Sequence, residues 1–103
     1  MEREKICAIG SQETVLGFKL LGIAGEAPES PEGLLQVLRR RYEEEGMALI
    51  LLEEGVAELA RESVEDYKAR RGFPLIVELP GPEGPLKREG IKEFIAGAIG
   101  VRL

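Results

Sequence analysis

The stretch KICAIGSQETVLGFKLLGIAG, residues 5–25, spells a buried strand, a capped helix and the start of a second strand. Ile6, Cys7, Ala8 and Ile9 are apolar without alternation, as in a strand covered on both faces, and Gly10 and Ser11 break the run before a helical pattern begins. Ser11 is placed to cap that helix, with Glu13 in the first turn, where negative charge complements the helix dipole. Gly22 is placed to stop it, and Ile23 and Ala24 resume an extended run. Within the helix Phe18 reads as core. Gly17 costs ~1 kcal/mol relative to Ala, so it is expected to allow close packing against the sheet or a partner. This is the opening of an α/β layered fold, and nothing in it looks like a reaction centre.

Outward from that stretch the alternation continues. Ser30 caps a second helix with Pro31 at its first position, and Leu34, Leu35, Leu38 and Tyr42 fall on one face with Val37 at its edge. Arg39, Arg40 and Arg41 stand four residues before Glu43, Glu44 and Glu45, which reads as a solvated face or a partner contact. After Gly46 the run Met47–Leu52 is too short and too apolar for a helix of its own, so it is expected to be the central strand. A third helix follows Gly55, with Val56, Leu59, Ala60, Ser63 and Tyr67 on one face. Phe73–Leu79 then reads as the fourth strand, with Pro74 at its start, where a missing donor costs least.

Strands alternating with helices at short spacing predict a parallel sheet with right-handed crossovers. The expected fold class is α/β: four strands in the order 2-1-3-4 with helices on both faces, receiver- or flavodoxin-like, over residues 1–80. The composition then changes. Pro80, Gly81, Pro82, Gly84 and Pro85 make residues 81–85 a linker, and Ile91, Phe94, Ile95, Ala98 and Ile99 give residues 86–103 an amphipathic helical stripe. That stripe is expected to pack on its own sheet as a further helix or in a groove between partner helices.

Composition narrows the chemistry. With 103 residues the chain makes one domain, burying roughly two-thirds of the surface its unfolded form exposes. A net charge of −5 argues against nucleic acid, whose phosphates need clustered cations. Histidine is absent, which removes the usual general base and the commonest metal ligand together. The single cysteine, Cys7, lies in the first strand and reads as a small buried hydrophobe. No apolar run approaches ~18 residues and the first five residues are no signal peptide, so neither insertion nor export is expected.

The motifs sought for chemistry fail on particular residues. The loop Gly10–Gly17 lacks the middle glycine of a dinucleotide-binding turn, and Glu13 would repel a pyrophosphate there. Gly81–Lys87 superficially has the look of a phosphate loop, but its prolines remove the N–H donors. A phospho-receiver needs an acidic pair after strand one and an aspartate after the central strand, where this chain has Gly10-Ser11 and Glu53-Glu54. The latter pair reads as a helix-start acid favouring the dipole. No catalytic residue, cofactor or metal is expected.

Four motifs occur in order from the first strand to the last residues. They are Gly10-Ser11-x-x-Thr14-x-x-Gly17-Phe18-x-Leu20-x-Gly22, the pair Glu53-Glu54 after an apolar strand, the run from Pro74 to Pro80, and the ending Ala98-Ile99-Gly100-Val101. Together they resemble the F-subunit family of the V/A-type rotary ATPases. The resemblance implies a non-catalytic part of the central stalk that binds the coiled-coil D subunit, turns with it inside the catalytic A/B ring, and modulates ATP hydrolysis through its C-terminal segment. It implies a cytoplasmic protein, peripheral on a membrane-bound complex, that couples ATP hydrolysis or synthesis to ion transport, is not a homo-oligomer, and has no membrane insertion of its own. The expected partner interface is Ile91, Phe94, Ile95 and Ile99 with Arg39 and Arg40, and the expected hinge is Pro80, Gly81, Pro82, Gly84 and Pro85. The alternative is a stand-alone sensor whose small molecule or nucleotide sits at the carboxyl ends of the strands, near Gly10, Ser11, Glu53 and Pro80.

Overall fold

The computed structural model describes residues 2–82. Along the chain run β1 (Lys5–Ile9), α1 (Gln12–Leu20), β2 (Ala24–Glu26), α2 (Pro31–Tyr42), β3 (Met47–Glu53), α3 (Glu54–Ala57), a 3-10 turn (Glu58–Ala60), α4 (Arg61–Lys68) and β4 (Leu75–Leu79). The strands form one all-parallel sheet in the order β2-β1-β3-β4, as the alternation of elements predicts. Ser11 and Ser30 cap α1 and α2, accepting from the N–H groups of Thr14 and Gly33, and Pro31 opens α2. Gly22 takes a φ of +84° just after α1, a conformation that costs other residues Cβ contacts.

Right-handed crossovers decide which face each helix covers. The step from β1 to β2 runs one way across the sheet, and the steps from β2 to β3 and β3 to β4 run the other. Hence α1 lies on one face, with α2, α3 and α4 on the opposite one. The core fills the second face: Cys7, Ile9, Ile50 and Leu52 from the strands meet Leu34, Val37 and Leu38 of α2, Val56 and Ala57 of α3, and Val64 of α4. On the first face α1 sits over β1 and β2, where Val15 is buried so close to Gly25 that a Cβ there would lie 2.8 Å from Val15 Cγ1.

Several expectations need correction. The third helix is three short pieces, because Ala60, at φ −148° and ψ 56°, leaves helical geometry. The restart in α4 turns Val64 into the core, and Ser63 is only half-buried. In α2 the buried stripe is Leu34, Val37 and Leu38, so Val37 is central and Leu35 exposed. Phe18 is only half-buried and stands outside the core. Phe73 and Pro74 precede β4 instead of opening it. Of the paired charges on α2, Arg39 meets Glu43 at 4.0 Å, but Arg40 and Arg41 both bind Glu26. The reason is register: Glu26 pairs with Ile9 and therefore points to the face that α2 covers. Glu78, on the same face of β4, is held in the same way by Arg61 and Lys68 of α4.

Candidate functional site

At the carboxyl ends of β1 and β3, where open α/β sheets bind ligands, a side chain of the protein fills the crevice. Glu53 ends β3 and is 8% exposed, the one buried charged residue among those described. Its Oε1 accepts the Ser11 N–H at 2.9 Å and the Ser11 hydroxyl at 2.9 Å, so the carboxylate lies at the positive N-terminus of α1. Burial pushes the Glu53 carboxyl up, but the Ser11 N–H and the Thr14 and Ser11 hydroxyls outweigh it and hold the group below its usual value. The fixed negative charge opposes any phosphate there. Glu53 is thus an acid at a helix start, but the helix is α1 across the sheet and not its own α3, for which it makes no side-chain cap bond.

Two glycines press on that carboxylate. A Cβ at Gly10 would lie 2.7 Å from Oε1 and 3.3 Å from Thr14 Cγ2. A Cβ at Gly81, just beyond β4, would overlap Oε2 and lie 3.3 Å from the carboxyl carbon. The backbone before α1 and the backbone leaving β4 therefore meet on one side chain.

The second feature is apolar. Register places Ile6, Leu49 and Leu75 in one row and Ala8, Leu51 and Val77 in the next, all pointing to the face that α1 covers only over β1 and β2. Ile6, Leu75 and Val77 are accordingly 41%, 53% and 42% exposed. Parallel sheets are ordinarily covered on both faces, and among the described residues nothing lies over β3 and β4 here. In β1 the apolar run is buried on both faces from Cys7 to Ile9, and Ile6 is its one exposed member. The outer surface of α1 adds Leu16, Leu20 and Leu21, the last two 80% and 76% exposed, around a Gly17 whose absent Cβ would meet nothing within 4 Å. Gly17 accordingly makes no close contact with the sheet.

The expected interface residues are only partly described. Arg39 is exposed on α2 and Arg40 reaches Glu26. Pro80, Gly81 and Pro82 follow β4 directly, whereas Gly84, Pro85 and the stripe Ile91, Phe94, Ile95 and Ile99 lie outside the described residues. At the opposite end of the strands a hollow of about 430 Å³ is lined by Tyr42, Glu43, Glu44, Arg70 and Phe73 among others, with the Arg70 guanidinium stacked 4.2 Å from the Tyr67 ring centre. Among the described residues no helix is long and apolar enough to cross a membrane.

Sequence reasoning missed the open face and the tie between Glu53 and Ser11. The first had a signal, since the strand order and crossover hand leave a single helix on one face. The second depends on a contact between residues 42 positions apart.

Residues 6–97 match the family model described as the ATP synthase (F/14-kDa) subunit. The F subunit of the A-type ATP synthase of Methanothermobacter thermautotrophicus is 30% identical, with 95% of this chain and 94% of that one aligned. That of Thermococcus kodakarensis is 33% identical over 96% and 97% of the two chains. The F subunit of the V-type ATP synthase of Clostridium perfringens is 28% identical over 97% and 95%.

Proposed function

This chain belongs to the ATP synthase (F/14-kDa) subunit family, and from that premise we propose that it is a non-catalytic rotor component of the central stalk of an A/V-type ATP synthase. In this reading it binds the coiled-coil D subunit, turns with it within the A/B ring, and helps couple ATP hydrolysis or synthesis to ion transport. It works on the cytoplasmic side as a peripheral part of the complex, in one copy. The observation that carries the reading, beyond the family match, is apolar surface left uncovered on a domain whose other surfaces are laced with ion pairs.

The exposed ridge of α1 is the surface offered to the coiled coil. Leu16 and Leu20 are one turn apart, and Gly17 between them lets a second helix approach closely. The open face of the sheet is assigned to the segment 86–103, which follows β4 by only a few residues. As a helix this segment is ~27 Å long, against ~23 Å for the seven residues of β3. With Ile91, Phe94, Ile95 and Ile99 against Ile6, Leu49, Leu75 and Val77, it would cover what α1 leaves bare. Release of that segment toward the A/B ring, about a hinge in residues 80–85, is the regulatory step.

The experiment is co-purification of this chain with the D subunit of the same source. A one-to-one complex is expected, weakened at least tenfold by Leu20→Glu with Leu21→Glu, both exposed enough to leave the fold intact. Absence of a complex, or one indifferent to both changes, would overturn the reading. The competing sensor reading has a charged carboxylate where its ligand would sit.

A further inference from the structure

Both tyrosines of the chain and one of its three phenylalanines gather at the amino end of the sheet, opposite the end that carries Glu53. The rings of Tyr42 and Tyr67 pack on the core with their centres 5.0 Å apart and their planes tilted by 57°, an attractive arrangement. The Arg70 guanidinium lies over both, 4.2 Å from the centre of Tyr67 and 5.2 Å from that of Tyr42. Tyr42, Arg70 and Phe73 line the hollow of about 430 Å³, and Phe73 leaves 55% of its surface to solvent. Tyrosine and arginine held rigidly around a hollow are the side chains on which binding energy concentrates at protein interfaces.

Charge selects the occupant. Among the ionised groups around the hollow, Arg3 donates to the Met47 carbonyl, Glu44 is held by Lys5 and Arg41, and Arg70 is turned onto the tyrosine rings. Glu43 has Arg39 at 4.0 Å, with both side chains largely exposed, and Glu45 has no ion-pair partner among the described residues. Both carboxylates follow α2 directly, at the negative end of its dipole. A shallower hollow shares Glu45 and Gly46 with this one and adds Glu2 and Glu4. We propose that the hollow receives an amphipathic helical segment of a partner protein through an arginine or lysine, whose stem lies on Tyr42 and Phe73 and whose charged head reaches Glu43 and Glu45. It is a second contact surface, on the α2 and α4 side of the sheet and apart from the α1 ridge.

The chain has no tryptophan and both tyrosines stand here, so its tyrosine emission reports this site alone. The probe is a peptide of about four helical turns, built of leucine and arginine at helical spacing, with a control in which glutamate replaces arginine. Titrated into the full chain, the arginine peptide is expected to change the emission saturably, with an affinity that falls as salt is raised. Affinity is expected to drop about tenfold in Glu43→Lys with Glu45→Lys and about tenfold in Phe73→Ala, all three being exposed positions, with circular dichroism confirming an unchanged fold. The glutamate peptide is expected to leave the emission as it is. Emission indifferent to the arginine peptide, an equal response to the glutamate peptide, or either variant binding as tightly as the unmodified chain would overturn the proposal. The D subunit takes no part in the titration, so the outcome is independent of the stalk reading.

Discussion

Ser11 donates its backbone N–H and its hydroxyl to one oxygen of Glu53, each at 2.9 Å, across 42 residues of sequence. The pair joins the first and third strands at the end where α1 begins. Removing the acceptor leaves a part-buried N–H without its partner, which costs about 1–3 kcal/mol. Glu53→Ala is therefore expected to lower unfolding free energy by that amount. Glu53→Gln, which keeps an acceptor in place, should lose less. Urea titrations check both, and a loss under ~0.5 kcal/mol for the alanine variant would contradict the account.

Stability should fall with acid. Glu26, Glu44, Glu53 and Glu78 are all held below the ordinary carboxylate value; burial opposes this in each case, and hydrogen bonds from arginine, lysine or Ser11 and Thr14 outweigh it. A group depressed in the folded state binds its proton more readily when unfolded. Its contribution is thus complete above the unfolded value, near ~4.3, and is lost as pH falls below that through the folded value. Urea midpoints are expected to be level between neutral pH and about 5 and to drop below ~4, and a midpoint that rises on acidification would count against these contacts.

Much of the architecture can be read from residues 5–25 and their counterparts further on. The caps Ser11 and Ser30, the stop at Gly22 and the central strand Met47–Glu53 are local signals of side-chain chemistry or apolar run length. What the sequence hides is non-local. The exposure of Ile6, Leu75 and Val77 follows from strand order and crossover hand taken together and from no single segment, so propensity alone does not encode it. Glu53 and Glu54 look alike as letters, yet it is Glu53 whose carboxylate lies over the α1 N-terminus. Arg40 and Arg41 of α2 reach Glu26 on β2 and not the glutamates four residues on, because the sheet register holds Glu26 beneath α2, and Arg41 also meets Glu44 three residues on at 3.0 Å.

Gly17→Ala separates stability from binding. Gly17 lies in the interior of α1, no atom stands within 4 Å of where its Cβ would be, and alanine is favoured there by ~0.5–1 kcal/mol. Thermal unfolding of the isolated chain is expected to shift upward. Affinity for the D subunit is expected to fall, since the added methyl holds a neighbouring helix away. A variant that is both more stable and binds equally well would place the coiled coil elsewhere.

Leu38→Ala tests the side of the sheet that is fully packed. Leu38 is buried between α2 and the strands, so truncation leaves a cavity and should cost 2–5 kcal/mol, about the range seen for such sites. Val77→Ala, on the open face, should cost far less in a chain ending at Pro82. Comparable losses by chemical denaturation at both positions would mean that the two faces are equally covered.

Cutting the chain after Pro82 separates the described domain from the arm. The domain keeps β4 and the packing of Gly81 on Glu53, so it should fold and show the same Ser11 amide protection as the full chain. If residues 86–103 cover Ile6, Leu75 and Val77 as proposed, the shortened chain should bind a hydrophobic dye more strongly than the full chain does. In a reconstituted complex the shortened chain is expected to bind the D subunit through α1 while ATP turnover changes, because the segment said to reach the A/B ring is gone. Unchanged turnover together with unchanged dye binding would show that residues 83–103 neither cover the sheet nor regulate the enzyme. A change in dye binding alone would confine their role to covering the sheet and remove them from regulation.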